Sequence, residues 1–399
     1  MKRSIMIDFS KTITDFRSHV PGIRDWAYFE TGSTGLVPDF VYEGVRRYMD
    51  DRYYKGGDSL WAYEDETVST LFMHQRSKEA LAEMVHCKPS EIAFGLSSTQ
   101  LFTLVTEGID YAEDDNIVTV RKGWIGSRFA WQKREAEGLE IRYVEPEDGR
   151  MTAERIAARC DEHTRAVSVN LVESNTGYRL DMDALGRFCA EKNILLYVDG
   201  VQALGALEVN VEKWNVDFLV GNDYKWMMNF CGTGYAYISP KVQKRIRHWG
   251  AGWMSDTDRF NTAKDRLDLR ADAGRFEIGH QHNDGIYGLG LVAMQNNRLG
   301  LSNIESYVCG LADYFCSRVE ETEGIRLSYD FPRKNRCQIV VVKLEKSLQV
   351  SEKDFEAAKV CAPIGSPDEN GEREMRISLH YYNNREDIDR FFAVLKKGV

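Results

Sequence analysis

No stretch of the 399-residue chain approaches the ~18 consecutive apolar residues that a membrane-spanning helix needs. Its opening, MKRSIMIDFSKTITDF, carries charge too early and lacks the apolar core of a signal peptide, so the expected compartment is the cytoplasm. The eight cysteines, at 87, 160, 189, 231, 309, 316, 337 and 361, include no CxxC pair, and reduced thiols are expected. The histidines show no metal-ligand spacing apart from His280-Gln281-His282. An HxH pair without a third ligand does not make a metal site, and no metal is expected. A basic excess is missing as well: 52 Lys+Arg against 62 Asp+Glu leave a net charge of −10. That argues against nucleic acid as a partner, which requires a positive face to displace counterions. The one basic run, KVQKRIRHW at 241–249, reads as a solvated helix face. Internal repeats and Pro/Gly/Ser linkers are also lacking, so any domain boundary is soft.

The chain does contain 43% hydrophobic and 11% aromatic residues, which excludes disorder. Its length suits two domains or one enzyme-sized unit. Between about 90 and 240, short apolar runs alternate with helical periodicity. IAFG (92–95), IVTV (117–120), IRYV (141–144), AVSVNLV (166–172), ILLYVD (194–199), DFLVG (217–221) and YAYIS (235–239) read as strands. Most are apolar throughout, as strands buried on both faces are. In DMDALGRFCAEKN, Leu185, Phe188 and Cys189 form one apolar helical stripe. Alternation of this kind predicts an α/β fold with a mostly parallel central sheet flanked by helices. Past about 295 the pattern changes to a helix over 303–324, strands at 337–344 and 375–383, and a last helix over 385–397. We therefore expect a large domain over 27–295, a smaller C-terminal α+β domain over 296–399, and residues 1–26 associated with the small domain.

Two residues stand out on chemical grounds. Asp199 ends a strand that otherwise reads as buried, at the carboxyl edge of the sheet where ligands gather. Such a carboxylate is costly unless a cation or donors meet it. Lys225 follows the next strand, among Tyr224, Trp226 and two methionines. Surroundings of that kind disfavour its charged form and make it a usable amine nucleophile. Taken singly, the two also fit a buried ion pair or two strand caps. A third segment, FGLSSTQLFTLVTEGI (94–109), runs from a strand through Ser97, Ser98 and Thr99 into an apolar helix. Helix N-termini attract anions, although a plain serine cap has the same signature.

VDGVQALG (198–205), GNDYKW (221–226) and GTGYAYIS (232–239), with RFEIGHQHNDGIYGLG (275–290) and RISLHYYNNREDIDRF (376–391), resemble the class V aminotransferase group of fold-type-I pyridoxal-phosphate enzymes. That group includes cysteine desulfurases, selenocysteine lyases, kynureninase-like enzymes and isopenicillin N epimerase-like proteins. The resemblance runs from about residue 27 onward and implies pyridoxal 5'-phosphate as cofactor. It makes 27–295 the cofactor-binding domain. It gives Lys225 the covalent attachment of the cofactor and proton transfer at the substrate Cα. Asp199 becomes the partner of the ring nitrogen, as an electron sink on a pyridine requires. Gln202 is implied against the phenolic oxygen or the attachment point, and Ser98 and Thr99 at the phosphate, with Asn222 and Tyr224 adding polar contacts. Trp124 takes the ring-stacking position, and Asn175 the approach to the phenolic oxygen, with Ser174 competing for that role. Arg376, heading an Arg-x-Ser strand, is implied as the receptor of the substrate carboxylate, which a guanidinium fork suits. His280 stands where relatives carry a threonine that reaches the neighbouring subunit's phosphate; the resemblance implies a homodimer with composite active sites.

The reaction implied is carried out on an amino acid through Cα deprotonation, preferably as a carbon–sulfur or other β-substituent lyase of the cysteine desulfurase or selenocysteine lyase kind. Aminotransferase and epimerase chemistry are the alternatives. A non-catalytic pyridoxal-phosphate-binding relative is a further one, against which the intact set of Asp199, Gln202 and Lys225 speaks. A desulfurase needs a mobile thiol. Cys361 is the candidate for it, with Lys359 as a neighbour able to lower its pKa, yet a small residue at a strand end explains it as well. The loop 28–38, together with Tyr53, Tyr54, Trp61 and Tyr63, is expected to line the substrate pocket unless packing accounts for these aromatics.

Overall fold

A computed structural model describes residues 9–56, 70–247 and 250–396 of the chain. A short first strand, β1 (Ala27–Tyr28), precedes seven strands that form one sheet. These are β2 (Ile92–Gly95), β3 (Asn116–Val120), β4 (Glu140–Val144), β5 (Thr164–Asn170), β6 (Leu195–Asp199), β7 (Phe218–Asn222) and β8 (Gly234–Ile238). Each of the seven apolar runs read from the sequence overlaps one of them, with ends that differ by at most two residues. The order is β2-β8-β7-β6-β5-β3-β4. β8 is antiparallel to both β2 and β7, and every other pair is parallel.

The continuous apolar character of the strands has a visible cause. Along β6, Leu196 and Val198 enter one core while Leu195 and Tyr197 enter another, so both faces of the sheet are covered. One face packs on the helices Ser98–Gly108 and Ile125–Ala136 through Leu101, Phe102, Val105 and Trp131. The opposite face takes Leu185 and Cys189 of the helix Met182–Glu191, with Leu81, Ile286 and Leu289 from two further helices.

A second sheet, β12-β10-β9, is antiparallel and consists of β9 (Ile325–Leu327), β10 (Ile339–Leu344) and β12 (Arg373–Ser378). Its core joins Val342 and Ile377 to Phe315 and Phe391 of the helices Leu301–Glu320 and Arg385–Leu395. β12 is shorter than the apolar run suggests. The His380 N–H turns onto the Asn383 side chain at 2.8 Å, and Asn384 caps the last helix. β1 pairs in parallel with β11 (Val360–Cys361), and Ala27 and Phe29 belong to the smaller core. The chain therefore enters the large sheet later than residue 27. The helix Phe9–Ser18 touches both parts: Phe16 joins the larger core, while Arg17 pairs with Asp387 at 2.9 Å. Among the described residues no helix is long and apolar enough to cross a membrane.

Parallel pairing of β5, β6 and β7 brings their carboxyl ends to one edge of the sheet, where Asp199 and the segment leading to Lys225 emerge. The helix Met182–Glu191 packs on the turn that leads into the opposite, amino end of β7 through a backbone contact that only glycine permits. A Cβ on Gly186 would lie 1.9 Å from the Trp214 carbonyl oxygen. Gly186→Ala is therefore expected to lower stability by about 1–3 kcal/mol, the usual scale for overpacking. A fall in the urea midpoint at unchanged m-value measures it.

Candidate active site

Asp199 and Lys225 are both buried. Asp199 accepts the Val201 N–H on Oδ1 at 3.0 Å, with the Ser127 hydroxyl 3.4 Å from Oδ2. Burial pushes its carboxyl above the usual range, opposed by those donors and by the charge of Lys225. The Lys225 amine is pushed down to about 8. Burial is the main cause, opposed by Asp199 and reinforced by the positive charge of Arg376. One cleft thus holds an amine with an accessible free-base form, a carboxyl with raised proton affinity, and a guanidinium.

The backbone that carries Lys225 is held from three sides. The Gly35 N–H donates to the Tyr224 carbonyl at 2.8 Å, and a Cβ on Gly35 would lie 2.0 Å from the Lys225 carbonyl oxygen. Gly205, at φ +98°, packs against the Trp226 carbonyl. The same carbonyl lies 3.1 Å from His380 Nε2. The His380 ring is wholly buried, stacked on Trp226 and Tyr382, and its pKa falls to about 3 through burial. It is therefore a neutral donor that braces the lysine segment. Gln202 belongs to the same brace. Its Nε2 donates to the Gly32 carbonyl at 3.0 Å and its Oε1 accepts the Trp226 indole N–H at 2.9 Å. Both ends of the expected cofactor-facing amide are thus engaged by protein.

Over the amine lies Trp124, half exposed, with Lys225 Nζ 5.5 Å from its ring centroid. A Cβ on Gly126 would meet the Trp124 indole nitrogen at 2.7 Å and Thr99 Oγ1 at 2.8 Å, so these two polar atoms converge on one spot. Ser97 caps the helix Ser98–Gly108, its Oγ accepting the Gln100 N–H at 3.1 Å. The helix starts past the buried strand β2, after exposed Leu96 and Ser97, and the first-turn N–H groups of Ser98 and Thr99 have no partner within the helix. Asn222, buried at the end of β7, is hydrogen-bonded with half-buried Tyr224, whose phenol is raised by burial.

Arg376 reaches the cleft from β12. Its Nη1 donates to the Ser174 carbonyl at 3.2 Å and its Nη2 to Ser33 Oγ at 2.7 Å. Neither partner is a carboxylate, and burial lowers its pKa, opposed by Glu30 nearby. A half-buried guanidinium hydrogen-bonded, among the described residues, to neutral oxygens is suited to meeting an anion. Asn175 is exposed at the rim, its Nδ2 donating to Glu173 at 3.2 Å.

His280 lies apart from this cluster within one chain. It is exposed, packs edge-on to Trp253 at 5.3 Å, and lines a separate cavity of about 410 Å³ with His74, Lys78, Arg259 and Glu277. Cys361 sits in β11 against Tyr28, with burial and Glu30 raising its thiol. Lys359, the neighbour expected to lower that thiol, instead has its Nζ 5.0 Å from the Trp26 ring centroid. Tyr53 and Tyr54 are 81% and 78% exposed, and Trp61 and Tyr63 lie outside the described residues. Three polar residues at the site escaped the sequence reading: Ser127, Glu173, and Asp223. Asp223 is fully buried and pushed up to about 7 by burial. Glu173, an acid directly after an apolar strand, carries the signal that singled out Asp199. Asp223 and Ser127 carry none beyond their neighbourhood.

A family model for Aminotransferase class-V matches residues 27–391. A probable cysteine desulfurase of Methanothermobacter thermautotrophicus is 25% identical, over 96% of this chain and 97% of its own. Among solved structures, the apo cysteine desulfurase of Thermococcus onnurineus aligns with a TM-score of 0.81 at 22% identity, covering 96% of this chain and 97% of that one. The cystine C–S lyase C-DES, in complex with its reaction product cysteine persulfide, aligns with a TM-score of 0.82 at 19% identity, covering 94% and 98%. At these identities the two structures establish the fold.

The opposing influences on Lys225 have opposite signs when removed. Asp199→Asn is expected to lower the amine's pKa below about 8, and Arg376→Gln to raise it. The pH dependence of Lys225 acylation in cofactor-free protein, read by mass spectrometry, reports both. Midpoints that fail to move in opposite directions refute this electrostatic account.

Proposed function

We propose, from the premise that this chain belongs to the class-V aminotransferase family, that it is a pyridoxal-phosphate enzyme that removes the Cα proton of an amino acid and expels a β-substituent, with a carbon–sulfur bond the foremost candidate. The single observation carrying this reading is the Lys225 amine, brought to about 8 by burial beside Asp199 and an arginine whose hydrogen bonds, among the described residues, go to neutral oxygens.

The residues fit the cofactor. A raised, buried carboxyl at Asp199 suits a protonated ring nitrogen, the start of the helix Ser98–Gly108 with Thr99 suits a phosphate, and Trp124 offers a face for the ring. Pyridoxal phosphate supplies there an electron sink conjugated to the substrate Cα. Lys225 contributes its amine, first as the point of attachment and then as the base that takes the Cα proton as the Cβ–S bond breaks, the proton passing to the departing sulfur. Arg376 orients the substrate carboxylate, with Ser33 and the Ser174 carbonyl fixing its fork. Asn222 and Tyr224 belong to the phosphate end of the same reading.

Elimination is favoured over sulfur transfer to a protein thiol because of Cys361. Its backbone is tied into β11, where its carbonyl accepts the Phe29 N–H at 2.9 Å, and its thiol is held protonated. A persulfide-carrying cysteine needs the thiolate and freedom to travel. A homodimer belongs to the proposal too. Exposed Tyr42, Met49 and Phe230 border a groove of about 320 Å³ with His282 and Asp284, an apolar patch suited to a second copy, and His280 would serve the other copy's cofactor. A second core around β10 and β12 supports a small domain, with Ile304, Val308, Ile339 and Val341 from its segment packing into the larger core and tying the two together.

The purified protein, supplied with pyridoxal phosphate and cysteine or cystine, is expected to release pyruvate and ammonium in step with sulfur. Lys225→Ala is expected to cost at least about 10²–10⁴-fold in rate, and Cys361→Ser to leave the rate unchanged. Accumulation of the pyridoxamine form with a 2-oxo acid product would mean transamination, and racemised substrate epimerisation. Loss of sulfur release in Cys361→Ser would restore the thiol-transfer reading.

A further inference from the structure

We propose that Glu173 is a positioning residue of the substrate-carboxylate site, acting on Arg376 through the peptide unit between Ser174 and Asn175. That one planar unit links the two side chains. Its carbonyl, on Ser174, accepts from Arg376 Nη1 at 3.2 Å. Its N–H, on Asn175, donates to Glu173 Oε1 at 3.2 Å. In a trans peptide the C=O and N–H point in opposite directions and cannot rotate independently. Arg376 pulls on one end of the plane and Glu173 holds the other.

The same carboxylate oxygen also takes Asn175 Nδ2 at 3.2 Å and the Ser174 hydroxyl at 3.4 Å, so three donors from two consecutive residues converge on it. Burial raises the Glu173 carboxyl, and the Asn175 N–H is the largest influence opposing that rise. The turn itself is fixed at its base. Glu173 N–H donates to the Tyr178 carbonyl and the Gly177 N–H to the Glu173 carbonyl, both at 2.9 Å. Gly177, at φ +73°, lies against the Ile339 carbonyl of β10, and the Cys337 thiol reaches the Gly177 carbonyl at 3.1 Å. Glu173 therefore orients the tip of a turn already anchored where the two sheets meet. On the far side Ser33 Oγ holds Nη2 of Arg376 at 2.7 Å. The fork is thus pinned between Ser33 and a carbonyl whose direction Glu173 sets, and its remaining N–H groups are left for a carboxylate.

This rests on Arg376 as the receptor of the substrate carboxylate, and the test separates the two. Full-length protein loaded with pyridoxal phosphate is titrated with an α-methyl amino acid, which has no Cα proton and so reports binding without turnover. Glu173→Ala is expected to raise the dissociation constant about tenfold, the scale of a lost hydrogen bond to a charged group. Glu173→Gln retains an oxygen that accepts the same N–H groups, and should stay within about threefold of the native value. Glu173→Asp keeps the charge but withdraws the oxygen by one methylene; it should weaken binding in the same direction as Ala and decides the matter alone if Ala does not fold. Arg376→Lys is the control. If it leaves the constant unchanged, the carboxylate-receptor reading fails. If it weakens binding while Glu173→Asp and Glu173→Ala do not, only the role of Glu173 is overturned. Equal losses in Gln and Ala would show charge rather than hydrogen bonding at work, and would overturn it too.

Discussion

The site depends first on a backbone that cannot retreat. Gly35 presses on the Lys225 carbonyl, Gly205 on that of Trp226, and a neutral His380 ring holds the latter from the small sheet's side. With its main chain fixed on three sides, the Lys225 side chain runs into the cleft beside Asp199 and under Trp124. The same closeness excludes water, and exclusion of water is the main cause of the amine's lowered pKa. A lysine free to swing outward would regain solvent and its ordinary basicity. Geometry and acidity here have one origin.

That origin explains what could be read in advance. Asp199 and Lys225 were legible because parallel strands buried on both faces are apolar, so a charge at their ends is conspicuous. The seven strands were legible for the same reason. The second tier of residues was not. His380 lies in a run that reads as strand to its end, yet the chain turns after Ser378 and the ring goes under Trp226 rather than into the pocket. Gln202 carries a motif whose implied target is the cofactor, while its amide spans Gly32 and Trp226, partners separated from it by 170 and 24 positions. Contacts of that range leave no local periodicity. β1 reads as part of the unit that follows it, and only its pairing with β11 assigns it to the smaller core.

The smaller sheet is more than an appendage. It delivers Arg376 from β12, His380 from just beyond, and Gln338, whose Nε2 donates to the Gln202 carbonyl at 2.6 Å. Each of the three ends on a residue of the larger sheet's loops. The cleft is consequently a seam, and a displacement of the small sheet would disturb Arg376, the lysine brace and Gln202 together.

Charge ties the seam to the chemistry. Lys225 feels two opposed neighbours, Asp199 favouring its protonated form and Arg376 disfavouring it. On the proposed function, a substrate carboxylate seated on Arg376 brings a negative charge that offsets the second influence. In the cofactor-free protein the guanidinium helps keep part of the amine unprotonated, which suits its attachment to a cofactor. Once the carboxylate is bound, the proton affinity of that amine rises, which suits a base about to accept a proton from Cα. Proximity of Asp199 works in the same direction throughout and so cannot supply the change. On this reading the receptor for the substrate is also the group that times the lysine, because its charge is offset only while substrate is present.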